Sequence, residues 1–240
     1  ATLERFFDEL GAHRAAAITH VTADAADWIA HVVARRAPQA VKCADPFHVV
    51  MWATDALDEV RRQAWNDARA VARTEPKRRP GRPRADAAPR PGHERARALK
   101  HARYALWKNP EDLTDRQRAK LAWVAKHNHQ LYRAYLLKEH LRLVFQARGT
   151  KAIAMLDAWL TWARRCQIPA FVDLYHRIKR HRDGIIASLT HGLSNGLTES
   201  VNTKLRLLTR IAYGFRSTDN LIALCLLDRG GHCPPLPGRT

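Results

Sequence analysis

The sequence predicts a mostly helical chain of the α/β-plus-all-α kind, with a small parallel-sheet portion at its start. Three observations predict it. Residues 1–50 alternate helical and short apolar strand signals. From about residue 48 the apolar positions recur at steps of three and four. One stretch, residues 73–92, breaks that pattern with a run of Pro, Gly and Arg.

The first helix is expected over residues 3–11, closed by Gly11. Residues 16–21 (AAITHV) suit a short buried strand. Asp24 follows, in the loop or first turn of a helix over residues 25–36 that Pro38 ends. Residues 40–43 suit a second strand, with Asp45-Pro46-Phe47-His48 at its end. Strand, crossover helix, strand is the unit of a parallel sheet, and ligands gather beyond the carboxyl ends of such strands. Asp24 and Asp45 both fall at that edge.

Val49, Trp52, Ala53, Ala56, Val60 and Ala64 form one stripe of a long helix to about residue 72. Residues 73–92 have the composition of an exposed loop or disordered segment. Helical periodicity resumes near Ala96, pauses at Asn109-Pro110 and restarts at Thr114, where Thr114-Asp115-Arg116-Gln117 has the form of a capping box. That helix is expected to reach about residue 146, with Gly149 closing it. Further helices are expected over residues 151–166 and 171–187. Trp107, Trp123, Trp159 and Trp162 sit at helical positions beside Leu and Ala, as core anchors rather than base-stacking platforms. Asn195-Gly196 then signals a turn, Ser194 or Thr198 offers a cap, and a helix follows. Leu197, Val201, Leu205, Leu208 and Ala212 form its expected buried stripe, while Glu199, Asn202, Arg206 and Arg210 share the other face. A last helix is expected over residues 220–228. There is no internal repeat.

At 240 residues the chain can form one or two domains. Its 41 Lys+Arg against 23 Asp+Glu give +18, and the pI is about 10.6. That excess points to a polyanionic partner, nucleic acid first and an anionic membrane second. No run approaches the roughly 18 apolar residues of a membrane span. The first residues are neither a signal peptide nor an initiator-Met start. The expectation is a soluble cytoplasmic protein or a part of one. The four Cys lack CxxC spacing, which argues against a disulfide framework or zinc knuckle, and Cys225, His232 and Cys233 have no second ligand pair.

Three motifs carry chemistry. Asp24 at a strand end and Glu199 in the first turn of a helix could converge on divalent ions, since two-metal phosphoryl transfer draws carboxylates from different elements. The competing readings are that Asp24 caps the next helix and that Glu199 lies on an exposed polar face. In Asp45-Pro46-Phe47-His48 an acid and an imidazole three residues apart can pair, so that the His orients a phosphate or shuttles a proton. Alternatively His48 only begins the next helix, with Phe47 in the core. Lys77, Arg78, Arg79, Arg82 and Arg84 surround Pro80-Gly81 in a sequence resembling an AT-hook, with Pro80 where the usual hook has Arg. Phosphate attraction follows whether or not the hook is real.

With these pieces in place, the chain resembles the C-terminal part of an insertion-sequence transposase of the ISL3 family. The resemblance is carried by Val21-Thr22-Ala23-Asp24, by Pro38-Gln39-Ala40-Val41-Lys42-Cys43-Ala44-Asp45-Pro46-Phe47-His48-Val49-Val50, by Ser194-Asn195-Gly196-Leu197-Thr198-Glu199-Ser200-Val201-Asn202 and by Arg210-Ile211-Ala212-Tyr213-Gly214-Phe215. It extends over nearly the whole chain. It implies a ribonuclease-H-like core with a DDE triad, interrupted by a helical insertion. On that mapping residues 1–50 are a partial core, 51–190 the insertion with its basic loop at 73–92, and 191–240 the return to the core.

Asp24 would be the second acid and Glu199 the third, both holding Mg²⁺ or Mn²⁺. Asp45 and His48 would match an acid-x-x-His motif that supports strand positioning. Asp24 is assigned ahead of Asp45 because it follows the strand before the crossover helix. Lys204, Arg206, Arg210 and Arg216 would join the basic loop in neutralising DNA phosphates. The partner implied is double-stranded DNA, at transposon ends and target, with no membrane and with a homo-oligomer in the intact parent. The chain departs from the family in lacking the initial strands and the first Asp, so a truncated and inactive copy is expected. A noncatalytic DNA-binding remnant is the alternative, and a helical RNA-binding or protein-interaction module a third reading.

Overall fold

The computed structural model describes residues 2–24, 26–76 and 90–229. In chain order the elements are α1 (Thr2–Leu10), α2 (Ala12–Ala16), β1 (His20–Ala23), α3 (Asp27–Arg36), β2 (Val41–Ala44), α4 (Pro46–Thr74), α5 (Pro91–His101), α6 (Arg103–Trp107), a 3-10 turn (Pro110–Asp112), α7 (Asp115–His127), α8 (His129–Val144), α9 (Gly149–Arg165), α10 (Pro169–Arg180), α11 (Arg182–His191), α12 (Gly196–Ile211) and α13 (Thr218–Arg229). The described part is therefore mostly helical with one two-stranded sheet. Residues up to Ser194 form one compact unit, and those from Asn195 onward form a second.

In the first unit β1 and β2 pair in parallel, with His20 opposite Val41 and Ala23 opposite Ala44. The crossover is α3. The first strand starts later than its apolar run suggested. Ala15 and Ala16, strong helix formers, complete α2 instead, and the strand begins only at His20. Phe7, Ala15, Ala37 and Ala40 bury a small core beside this sheet.

The main core belongs to the helices. Asp45 stands at the N-cap of α4 and Pro46 at its first turn, where a missing N–H costs nothing. One apolar face of α4 (Val49, Trp52, Ala53, Ala56, Leu57 and Val60) is buried. It packs against α5, α8 and α10, while α11 packs on β2. Trp159 is fully buried, and its Nε1–H donates to the Leu137 carbonyl at 2.8 Å. Trp107, Trp123 and Trp162 are half-buried against the same core, as expected of anchors. A charged group is buried with them: Glu139 accepts from Lys138 and, at 2.8 Å, from Arg142, whose other nitrogens reach Glu111 at 2.9 and 3.1 Å. Burial lowers the Lys138 ammonium, and burial with the Glu139 charge pushes the Tyr135 phenol up to about 12.

Two expected helices are each broken in two. The capping box at Thr114 and Gln117 is present, but its helix ends at His127. Asn128 leaves helical geometry and its side chain accepts from the Leu131 N–H at 3.0 Å, so one residue stops α7 and caps α8. Gly149, with φ +60°, opens α9 rather than closing α8. Likewise His181 separates α10, which packs on α4 and α9, from α11, which packs on β2 and α9. Gly192, at φ +66°, closes α11 in the left-handed conformation that glycine adopts without strain.

The second unit contains α12 and α13. The stripe expected to be buried on α12 is not: Val201, Leu205 and Leu208 are half-buried, and Leu197 is 80 % exposed. Two helices alone present one seam to each other, too little to cover a full apolar face. Among the described residues, no helix is long and apolar enough to cross a membrane.

Candidate metal and nucleic-acid site

The parallel pairing sets the geometry at the sheet edge. Asp24 follows Ala23 and Asp45 follows Ala44, so the two acids leave paired strands at equivalent places, and the Asp45 N–H still bonds the Ala23 carbonyl at 3.3 Å. His48 sits one turn into α4. Its Nδ1 lies 2.7 Å from Asp45 Oδ2 and 3.0 Å from Asp24 Oδ1. One possible ligand atom from each of the three residues lies within 4.8 Å of the others. The two carboxylates differ in solvation: the Asp45 side chain is 1 % exposed and that of Asp24 is 52 % exposed.

Asp24 is not a helix cap. The N-cap of α3 is Ala26, and the Asp24 carboxylate turns to His48 instead. Nor does Phe47 enter the core: it is 56 % exposed, its ring edge-on to His48. The donor set of two carboxylates beside an imidazole suits a hard divalent ion such as Mg²⁺ or Mn²⁺. Asp24, with oxygen facing water, is the member placed to take one. Asp45, buried against the Nδ1 of His48, is placed to orient that ring.

Glu199 lies in the first turn of α12, in the second unit, exposed, with its N–H bonded to the Asn195 carbonyl at 2.9 Å. Lys204, Arg206 and Arg210 are exposed on the same helix and Arg216 is exposed beyond it. Lys77, Arg78, Arg79, Arg82 and Arg84 lie outside the described residues, as do His232 and Cys233. The described cysteines are free, and burial pushes the Cys43 thiol up.

The α10 cations were missed by motif reading. A cleft of about 200 Å³ beside Asp24 is also lined by Asp27, Lys42, Arg180 and His181. One turn beyond His48, Trp52 carries the Arg177 guanidinium 3.8 Å above its ring, with the His181 ring 5.6 Å away. Burial, and then the Arg177 and Arg180 charges, hold the His181 imidazole below its usual range. The only sequence signal was the basic end of α10, which equally suits the negative pole of any helix.

Comparison with known proteins agrees with the motifs. The family model of ISL3 DDE transposases, described as "Transposase", matches residues 1–225. The transposase for insertion sequence element IS1557 of Mycobacterium tuberculosis is 69 % identical over 239 residues, in both strain CDC 1551 / Oshkosh and strain ATCC 25618 / H37Rv. The alignment covers 100 % of this chain and 54 % of those relatives. The transposase for insertion sequence element IS1001 of Bordetella parapertussis is 27 % identical over 220 residues, 91 % of this chain and 49 % of the relative. The chain thus spans about half the length of the relatives it matches. No solved structure matches it. A family match across all three motif regions, carried by a chain whose first two motifs meet at one sheet edge, leaves one conclusion: the chain belongs to the ISL3 family of insertion-sequence transposases.

Proposed function

We propose that the chain is the C-terminal part of a DDE transposase whose intact form cuts DNA and joins transposon ends to a target by metal-dependent phosphoryl transfer. The observation that carries this reading is the Asp24–Asp45–His48 cluster at the carboxyl ends of a parallel strand pair in a member of the family. β1, α3 and β2 would belong to a ribonuclease-H-like core, residues 51–190 to a helical insertion, and α12 to the returning core.

Asp24 and Glu199 would hold Mg²⁺ or Mn²⁺. When bound, such ions activate water or a 3′-OH and neutralise charge at the scissile phosphate. Asp45 fixes His48, and His48 positions the substrate strand or moves a proton beside it. Lys204, Arg206, Arg210 and Arg216 would neutralise backbone phosphates of double-stranded DNA, and the intact protein would act as a homo-oligomer.

Mn²⁺ titration of the chain tests the metal part. Asp24→Asn and Glu199→Gln are each expected to weaken binding by about tenfold or more, as loss of a charged oxygen ligand does, while Arg206→Gln leaves it unchanged. Equal Mn²⁺ affinity in all four proteins would sink the assignment. The net charge of +18 favours a second reading, a DNA-binding remnant without catalysis. In that case removing the basic arm, residues 73–84, abolishes most salt-dependent affinity and Glu199→Gln changes nothing.

A further inference from the structure

A second cationic surface lies on the helical part of the first unit, along α9 and α10 beside the start of α11. Arg164, Arg165, Lys179 and Arg182 line one cleft of about 330 Å³ together with a single carboxylate, Asp157. That acid is already committed, since Arg182 donates to its Oδ1 at 2.8 Å. Arg164, Arg165 and Lys179 are exposed and form no ion pair with a described carboxylate. Three unneutralised cations from two helices therefore share one wall. The negative ends of α9 and α10 account for a cation on each. They do not account for three gathered in one cleft, whose mutual repulsion a polyanion would relieve.

We propose that this cleft seats the phosphate backbone of duplex DNA, and that Arg164, Arg165 and Lys179 are its contacts. The surface adjoins the carboxylate site through α10: Lys179 lines the basic cleft, and the next residue, Arg180, lines the cleft beside Asp24. A duplex held across the end of α10 is thereby led toward Asp24. Contacts to backbone phosphates fix position without carrying base information, so binding here is expected to be independent of base sequence. The inference rests on the DNA-partner part of the reading above and not on its metal chemistry.

Binding of the full chain to a fluorescein-labelled duplex, followed by anisotropy in EDTA, tests it with the metal chemistry silent. Replacing Arg164, Arg165 and Lys179 together by Gln is expected to lower affinity about tenfold or more near 100 mM salt. The plot of log affinity against log salt should become shallower by about 2.7, the value for three lost phosphate contacts. A control with Arg97→Gln, Lys100→Gln and Lys126→Gln removes the same charge from exposed positions elsewhere and is expected to keep the wild-type slope. Circular dichroism confirms that both variants are folded. The proposal is overturned if the two variants behave alike, if the first binds as the wild type does, or if the wild type fails to bind duplex at about 50 mM salt. It is also overturned if single-stranded RNA of equal length displaces the duplex and depends on the same three residues. Mn²⁺ affinity measured alongside keeps the two questions apart: the triple variant should retain it whichever way the DNA result falls.

Discussion

At the scale of single residues, the two acids beside His48 are chemically alike but physically different. Asp45 is buried and bonded to the imidazole, so removing it opens a gap in a dry place and leaves His48 Nδ1 with Asp24 alone. Asp24 is half-solvated and replaces its lost contact with water. Asp45→Ala is therefore expected to cost about 2 to 3 kcal/mol in urea denaturation, and Asp24→Ala less than about 1 kcal/mol. The opposite order would mean that Asp24 is the structural acid and Asp45 the one left for chemistry. The spacing of Asp45 and His48 announced their pairing. That Asp24 would reach the same nitrogen could not be read, because it depends on the ladder register and not on nearby sequence.

At the scale of elements, local signals succeeded where one residue decides and failed where packing decides. The Thr114 capping box and the breaks around Asn109-Pro110 are local, and they stand. The α7–α8 break turns on whether Asn128 spends its side chain on the backbone, an option open to any Asn inside an apolar-periodic run. The early strand was displaced because an alanine-rich apolar stretch serves a helix as well as a strand. Close packing is equally hidden from sequence. A Cβ placed at Gly92 of α5 would stand 3.1 Å from both the Cα and N of Ala72, backbone atoms of α4 that cannot step aside. Gly92→Ala is expected to destabilise the fold by about 1 to 3 kcal/mol through overpacking, although alanine is the better helix former. A thermal midpoint equal to or above that of the wild type would show that α4 and α5 can separate at no cost.

At the scale of the whole molecule, charge and titration act together. Burial holds both His140 and His181 below the usual imidazole range. The unfolded chain takes up those protons first as pH falls, so the folded state is favoured above about pH 6.5 and loses ground below it. Thermal midpoints should fall between about pH 7.5 and 5.5, and His140→Gln should flatten part of that decline. A midpoint that rises on acidification would reverse the assigned direction. The family was legible over nearly the whole chain because its motifs are short and local. The way residues 195 onward form a separate unit was not, since the α12 stripe reads like any core-facing helix while its leucines stay largely uncovered.

The β1–β2 ladder also serves as a ruler. Because strand side chains alternate between faces, Asp24 and Asp45 stay level only while Ala23 remains opposite Ala44. One residue gained or lost between those alanines must be absorbed wholly by α3 and its flanking turns. If it is taken up in the pairing instead, Asp45 swings to the far side of the sheet and His48 keeps at most one acid. The solvent-facing positions of that stretch are free to drift, but its residue count is held by a pair of carboxylates at its two ends.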